Sequence, residues 1–279
     1  ELYQKGLKVE LICLDHISSC PGMLIPVCDI GKECKKYDIP ILVDGAHALG
    51  QVEINLQSFY DSGISYWFTD THKWFFSPKG SAVLWVAKKK QNNIYPTIDC
   101  AAICSKGCTV IQKCNSSEDL SDESNFENRF LYLGTKDYTP WISISAAIDF
   151  IEDIGGYKFL INRNRDLCLW AKYYMSKKLH TNTISDNLTC SMCNIHLPFI
   201  DSQESSTKLM KYLMSKNIYV VICEYTKKIF WLRVCIQLFI NESSIEYLTE
   251  TLIYYISIYH KTYLDMIIQF SIDEHNSNM

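Results

Sequence analysis

Two short segments carry the residue types that chemistry needs. Ile41-Leu-Val-Asp-Gly-Ala-His-Ala-Leu-Gly-Gln51 runs apolar, ends in Asp44, and turns through Gly45 toward His47. Thr69-Asp-Thr-His-Lys-Trp-Phe-Phe-Ser-Pro-Lys-Gly-Ser81 follows another apolar run and sets His72 beside Lys73 at the start of an aromatic stretch. A carboxylate at the carboxyl end of a buried strand lies where an α/β sheet binds its ligands. A lysine between apolar neighbours is expected to be desolvated, which lowers its pKa toward the free amine that attacks an aldehyde. Each segment also has a plainer account: Asp44 as a turn residue capping the next helix, and Lys73 as a solvated surface lysine with His72 in a turn. The pair in this order is more specific than either segment alone.

The elements that must position these residues show as apolar runs bounded by turn residues. Val9 to Leu14, Ile39 to Val43, Ile64 to Phe68 and Ala82 to Val86 alternate with helical patterns, which predicts an α/β sheet with crossover helices. Val27 to Tyr37 supplies one such helix, with Ile30 and Cys34 four apart on one face and Pro40 shortly after its end. From about Asn92 to Asn128 the pattern dissolves into polar residues and cysteine and reads as a long exposed connection. Thr139 and Pro140 form an N-cap and first-turn pair for a helix to Ile154, and Gly155 and Gly156 stop it. A second helix within Tyr157 to Leu179 precedes strands near Met192 to Leu197, Ile218 to Cys223 and Ile229 to Phe239, the pattern of a smaller α+β domain. No internal repeat, Walker loop or dinucleotide fingerprint is present.

Bulk composition narrows the function classes. The 279 residues are 48% hydrophobic, enough for two cores, and two domains are expected. A net charge of -4 and a pI near 6.0, with scattered basic residues, give no footprint for nucleic acid or an acidic membrane surface. No apolar run follows Glu1, so no signal or transit peptide is read and a cytoplasmic address is expected. The late apolar stretch from Tyr247 to Phe270 is broken by Glu250, His260, Lys261 and Asp265, which suits an amphipathic helix rather than a membrane span. Thirteen cysteines, an odd number outside a short secreted framework, are expected to be free thiols, and the sequons at Asn115, Asn187 and Asn241 to be chance matches. Cys100, Cys104, Cys108 and Cys114 form an even ladder unlike the paired spacing of zinc sites, so no metal is expected there. Cys190 and Cys193 read as core thiols.

At this point a family resemblance is visible. The Asp44 and Lys73 segments resemble those of the class V aminotransferases, which are fold-type-I pyridoxal 5'-phosphate (PLP) enzymes. They are most similar to the branch of isopenicillin-N epimerase-like and cysteine desulfhydrase-like proteins. His72-Lys73-Trp74 with Pro78-Lys79-Gly80 is that branch's signature, and the likeness takes in Asp15 to Ser19 through Pro26, Gly134 to Asp137, and more faintly Leu232 to Cys235. The resemblance implies an α/β three-layer sandwich of PLP-transferase type, with an incomplete large domain followed by a small α+β C-terminal domain. Residues 1–95 would be the later part of the large domain, 96–140 an exposed connection with the dimer and phosphate contact, and 141–279 the linking helix and small domain. Lys73 would carry the cofactor through a Schiff base and then act as general base at the substrate's alpha carbon. Asp44 would face the pyridine nitrogen and keep it protonated, so that the ring can accept electrons from a broken bond. His47 and Ser19 match positions near the ring's phenolic oxygen, and His72 matches a phosphate ligand. Thr135 matches a residue that reaches the partner subunit's phosphate, which implies a homodimer. Arg233 matches the guanidinium that grips the alpha-carboxylate of an amino acid substrate. Ser19 as a turn residue before Pro21, and Arg233 as a half-buried strand residue paired with a carboxylate, stay open beside these roles.

The sequence also departs from the family pattern. Asp70 stands where relatives show Ser or Asn near the phosphate, so either it points away or the phosphate site is altered. The Tyr-Asn pair after the arginine strand reads Phe239-Ile240. By the resemblance, the family's sheet begins upstream of the residue aligned with Glu1, and half of the pocket is expected to lie there. The implied chemistry is carbon-sulfur elimination or epimerisation ahead of persulfide transfer. Two alternatives stand beside it: a cysteine desulfurase using Cys223, against which Cys223 reads as a buried thiol ending an apolar strand, and a non-catalytic member that keeps the fold for dimerisation or binding.

Overall fold

The computed structural model describes residues 8–96 and 135–277, together with Gly6, Phe126 and Phe130. Cys100, Cys104, Cys108 and Cys114 lie outside them. A first sheet contains β1 (Ile12–Asp15), β2 (Ile41–Asp44), β3 (Tyr66–Asp70) and β4 (Ala82–Val86), in that order across the sheet. β1, β2 and β3 are parallel, and β4 returns antiparallel to β3. Parallel neighbours need crossovers, supplied by α1 (Val27–Lys35) and α2 (Leu56–Ser62), which pack on each other. Ile41 and Val43, on one face of β2, are fully buried and join Val27, Phe59, Ile64 and Trp67 in one core, while Leu42 and Asp44 on its other face are half-buried. Asn55 caps α2 by accepting a hydrogen bond from the Ser58 N–H at 2.9 Å.

Next come α3 (Thr139–Ile142), α4 (Ile144–Asp153) and the long α5 (Tyr157–Leu179). The helix expected from Thr139 to Ile154 is therefore two, parted at Ser143, and Asp137 rather than Thr139 does the capping: its carboxylate accepts from the Thr139 N–H at 2.8 Å. A second, antiparallel sheet has the order β5-β7-β6, from β5 (Met192–His196), β6 (Val221–Thr226) and β7 (Ile229–Cys235). It packs with α5, α6 (Gln203–Ser215), α7 (Glu242–Tyr259) and α8 (Lys261–Ser277) around Ile195, Leu209, Leu232 and Leu252, all fully buried. The late apolar stretch is two helices that meet at His260, and none among the described residues is long and apolar enough to cross a membrane.

Two cysteine expectations need correction. Cys20 and Cys223 are joined in a disulfide, although all the thiols were expected free, because the fold brings the loop after β1 against β6 across 203 residues of chain. No spacing in the sequence can show such a contact. Cys223 also lies inside β6 rather than at a strand end. Cys190 and Cys193 are buried as core thiols, as expected. No group of three or more metal-ligating side chains is present among the described residues.

His16, directly after β1, is buried with its ring edge against Phe59 at 5.6 Å, and its Nδ1 has no hydrogen-bond partner. Burial pushes its pKa from 6.5 down to about 4. Between those values the unfolded chain binds the extra proton, so the contribution to stability is present above about pH 6.5 and is lost as pH falls toward the folded value. From pH 7 to pH 5 the wild type should lose about 2 kcal/mol more unfolding free energy than His16→Phe. Denaturant titrations of both proteins at the two pH values measure this, and parallel losses would remove His16 as the cause.

Candidate functional site

The register of the first sheet sets Asp15 level with Asp44, and Asp44 level with Phe68, two residues before Asp70. Three carboxylates thus end three adjacent strands at one edge. Asp15 has its pKa raised, first by burial and then by Asp44, with Lys73 opposing. Gly45 follows immediately and donates its N–H to the Phe68 carbonyl at 2.7 Å. A Cβ at Gly45 would stand 2.3 Å from the indole nitrogen of Trp67, so only glycine lets the turn pass so close to β3. One oxygen of Asp44 accepts from the Ala46 N–H at 2.8 Å and so closes its own turn, whereas the next helix is capped by Asn55 and not by Asp44 as the plainer account held.

The turn from Gly45 to Val52 is pinned from outside. The Gln51 amide donates to the His47 carbonyl at 2.7 Å and accepts from the Ser191 N–H at 3.0 Å. The Tyr157 hydroxyl accepts from the Gly50 N–H and donates to the Val52 carbonyl, both at 2.9 Å. The lysine loop is closed by Thr71 and Ser77 on Ser81, while the Thr69 hydroxyl ties β3 back to the Gly45 carbonyl at 2.7 Å. Phe76 takes a left-handed backbone within it, with φ 62°.

Lys73 meets Asp70 here, Nζ to Oδ2 at 2.9 Å, and His72 Nε2 is 3.9 Å from the same oxygen. Asp70 therefore points into the cluster. The expected desolvation of Lys73 is not found: 34% of its side chain is exposed and its ammonium has a local counterion, because the turn places Asp70 three residues earlier beside it. His72 Nδ1 is buried and has no hydrogen-bond partner among the described residues. His47 accepts at Nδ1 from the Trp74 indole N–H at 3.1 Å. Its pKa falls from 6.5 to about 4, through burial first and then the Lys73 and Arg233 charges, opposed by Asp44 and Asp70.

Arg233 approaches from β7 of the second sheet. Its Nη1 donates to the Ser19 carbonyl at 2.6 Å and lies 3.1 Å from the Ser19 hydroxyl. The loop carrying Ser19 is held by Asn194 of β5, whose buried amide accepts from the Gly22 N–H at 2.9 Å and donates to its carbonyl at 2.7 Å. The structure thus gathers Asp44, His47, His72 and Lys73, with Arg233 and Ser19 facing them. Thr135 is exposed ahead of α3, outside the hydrogen bonds and ion pairs that link this cluster among the described residues. Sequence reasoning missed Asp15, Gln51, Asn194 and Tyr157 as supports. Trp74 was in view as part of the His72-Lys73-Trp74 signature, without its contact to His47.

The Aminotransferase class-V family profile matches residues 4–226, and the chain belongs to that family. An L-cysteine desulfhydrase-like protein of Epichloe uncinata is 36% identical over 155 residues, covering 54% of this chain and 33% of that protein. Hercynylcysteine sulfoxide lyase of Schizosaccharomyces pombe is 29% identical over 241 residues, covering 86% of this chain and 57% of that protein. The chain therefore spans between a third and somewhat over half of the length of these relatives. Among solved structures, the cystine C-S lyase C-DES in complex with cysteine persulfide superposes with a TM-score of 0.66 at 18% identity, covering 87% of this chain and 60% of that one. The fold is accordingly the α/β architecture of the fold-type-I PLP enzymes. C-DES has also been solved with glycine covalently linked to its PLP cofactor.

Asn194 anchors the loop that carries Ser19, so its loss should be felt globally. Asn194→Ala strands a buried N–H and a buried carbonyl at Gly22 and is expected to cost about 3 kcal/mol of stability. Chemical denaturation reads this, and a change under about 0.5 kcal/mol would mean that the loop does not depend on the amide.

Proposed function

We propose that this chain forms the lysine-bearing and carboxylate-binding part of a PLP-dependent enzyme that cleaves a carbon-sulfur bond of an amino acid, in the manner of the cysteine desulfhydrases. The observation that carries it is the placement of Lys73 and Asp44 at the carboxyl edge of parallel strands, with Arg233 facing them from the second sheet. The residues fit the cofactor on this side of the site. The Lys73 amine is accessible, Asp44 ends the central strand, and the partnerless buried Nδ1 of His72 suits an anionic oxygen. When bound, PLP supplies the electron sink for a bond broken at the substrate's alpha carbon.

In this reading Lys73 would hold the cofactor through its amine, once released from Asp70, and would afterwards take the alpha proton and hold it for the departing sulfur. Asp44 keeps the pyridine nitrogen protonated, and its position level with Asp15 makes that edge receptive to a positive charge. His47 stays neutral beside the ring's phenolic oxygen. Arg233 presents its fork to the alpha-carboxylate, its Nη1 pre-set by Ser19. Ser19 shares its hydroxyl between that guanidinium and the phenolic oxygen, and His72 serves the phosphate. We further propose a cytoplasmic homodimer in which Thr135 reaches the partner subunit's phosphate. Residues 1–95 and 141–279 then divide between large and small domains about the 96–140 connection. The Cys20–Cys223 disulfide takes Cys223 away from the desulfurase alternative. The Asp70–Lys73 ion pair favours a non-catalytic reading, and a labelling test separates the two.

Incubation with PLP followed by borohydride should leave the cofactor mass on the peptide holding Lys73, and Lys73→Ala should abolish it. Absence of label, or label on another lysine, would overturn the assignment. In the active enzyme Arg233→Ala should raise KM at least about tenfold while kcat changes little, because the guanidinium holds the carboxylate before and during the reaction. Equal losses in both would reduce Arg233 to a structural support for the Ser19 loop.

A further inference from the structure

Trp74 closes the signature tripeptide, yet its indole takes no part in the roles assigned above. It is buried, and its only polar atom donates to His47 Nδ1 at 3.1 Å. An indole nitrogen has a proton to give and no lone pair to offer. The atom it meets must therefore present a lone pair, so Nδ1 carries no proton. A neutral imidazole has one N–H, which leaves it on Nε2. The backbones that carry both rings are held independently of that bond. The His47 carbonyl is fixed by Gln51, which the backbone of Ser191 fixes in turn. Trp74 is pressed against Gly50, whose φ of +91° and missing side chain allow the approach: a Cβ there would stand 2.2 Å from the Trp74 carbonyl oxygen. Gly50 is itself held by Tyr157 of α5.

We propose that Trp74 is a positioning residue that fixes the tautomer of His47, placing the ring proton on Nε2 as the one donor this histidine offers to a ligand oxygen. The surroundings act in the same sense. Lys73 and Arg233 face the ring as cations, Asp44 and Asp70 as carboxylates, and burial with the two cations outweighs the two anions, so the ring is neutral at physiological pH. A second proton could enter only at Nδ1, where it would stand N–H against N–H with a buried indole that has no other hydrogen-bond partner among the described residues. His47 is thereby a donor of fixed direction whose state does not change with pH across the working range. The inference concerns the chain without its cofactor, so it can stand or fall separately from the PLP assignment.

The test is a two-bond proton-nitrogen correlation spectrum of protein labelled with 15N-histidine and free of PLP, the His47 signals being assigned by their disappearance in His47→Gln. The wild type should show the Nε2–H pattern with hydrogen-bonded, unprotonated Nδ1, unchanged from about pH 5.5 to pH 8. Trp74→Phe keeps the ring volume and removes the donor. It should give a mixture of tautomers and a titration midpoint higher by about one pH unit. A wild-type ring protonated on Nδ1, or one titrating near its ordinary value, overturns the proposal, and this reading needs no variant to fold. Identical His47 signals in wild type and folded Trp74→Phe overturn it as well. Borohydride labelling of Lys73 is scored separately, so its failure would count against the cofactor assignment and not against the tautomer.

Discussion

Negative charge gathered at one edge of a parallel sheet is the constraint on which the rest of the site depends. Parallel register leaves no freedom here: once Ile12 pairs with Ile41, Asp15 must stand beside Asp44, and β3 carries Asp70 to the same end. Carboxylates so close repel one another and resist burial together, which is visible in the raised pKa of Asp15. Two cations answer them. Lys73 comes from the loop just beyond β3 and is paired with Asp70; Arg233 comes from a different sheet altogether. A cationic heterocycle placed between Asp44 and these groups would meet a field already arranged for it.

Bringing Arg233 to that edge requires the two sheets to keep a fixed relation. Cys190 and, in β5, Met192 are buried in the first sheet's core, and polar ties add direction to that apolar contact. Asn194 holds both backbone groups of Gly22, Ser191 holds Gln51, Arg233 holds Ser19, and the Cys20–Cys223 disulfide joins the same loop to β6. Three of these four act on residues 19 to 22. Buried hydrogen bonds of this kind cost more to lose than they contribute when made, so they specify one arrangement more than they add net stability. Precision of this sort suits a guanidinium whose task is to meet a carboxylate in a single orientation.

The sequence made part of this legible. Apolar runs ending in Asp44 and preceding Lys73 marked the strands and the edge, since a covered parallel strand must be apolar and must end where the chemistry begins. Lys73 beside His72 and Trp74 marked the loop. What stayed hidden is what long-range contact decides. The Asp137 cap is a local exception, an aspartate reaching forward two residues to the Thr139 N–H, and the break at His260 has no strong local signal. Residues 20 and 223 gave no hint of meeting, since nothing in their neighbours encodes a contact between them. Desolvation of Lys73 was misjudged for a related reason: apolar sequence neighbours do not bury a side chain that the turn directs toward an aspartate.

Asp70 is the residue whose effect runs in two directions. It is the counterion of Lys73, 2.9 Å from the ammonium, and so neutralises it. The same ion pair must open before the amine can react with a carbonyl, since a protonated, paired nitrogen has no lone pair to offer. Half-exposed pairs of this type are worth about 1 kcal/mol or less, a cost that the binding of a charged cofactor readily exceeds. On the proposed role of Lys73, the aspartate would set a modest threshold for loading rather than a block. Phe239 lies beyond β7, where the family pattern has a polar residue, and its ring is largely exposed. The departures in this chain thus fall on the amine's counterion and on the segment after the arginine strand, while Asp44, His47 and Lys73 keep the arrangement that the parallel edge dictates.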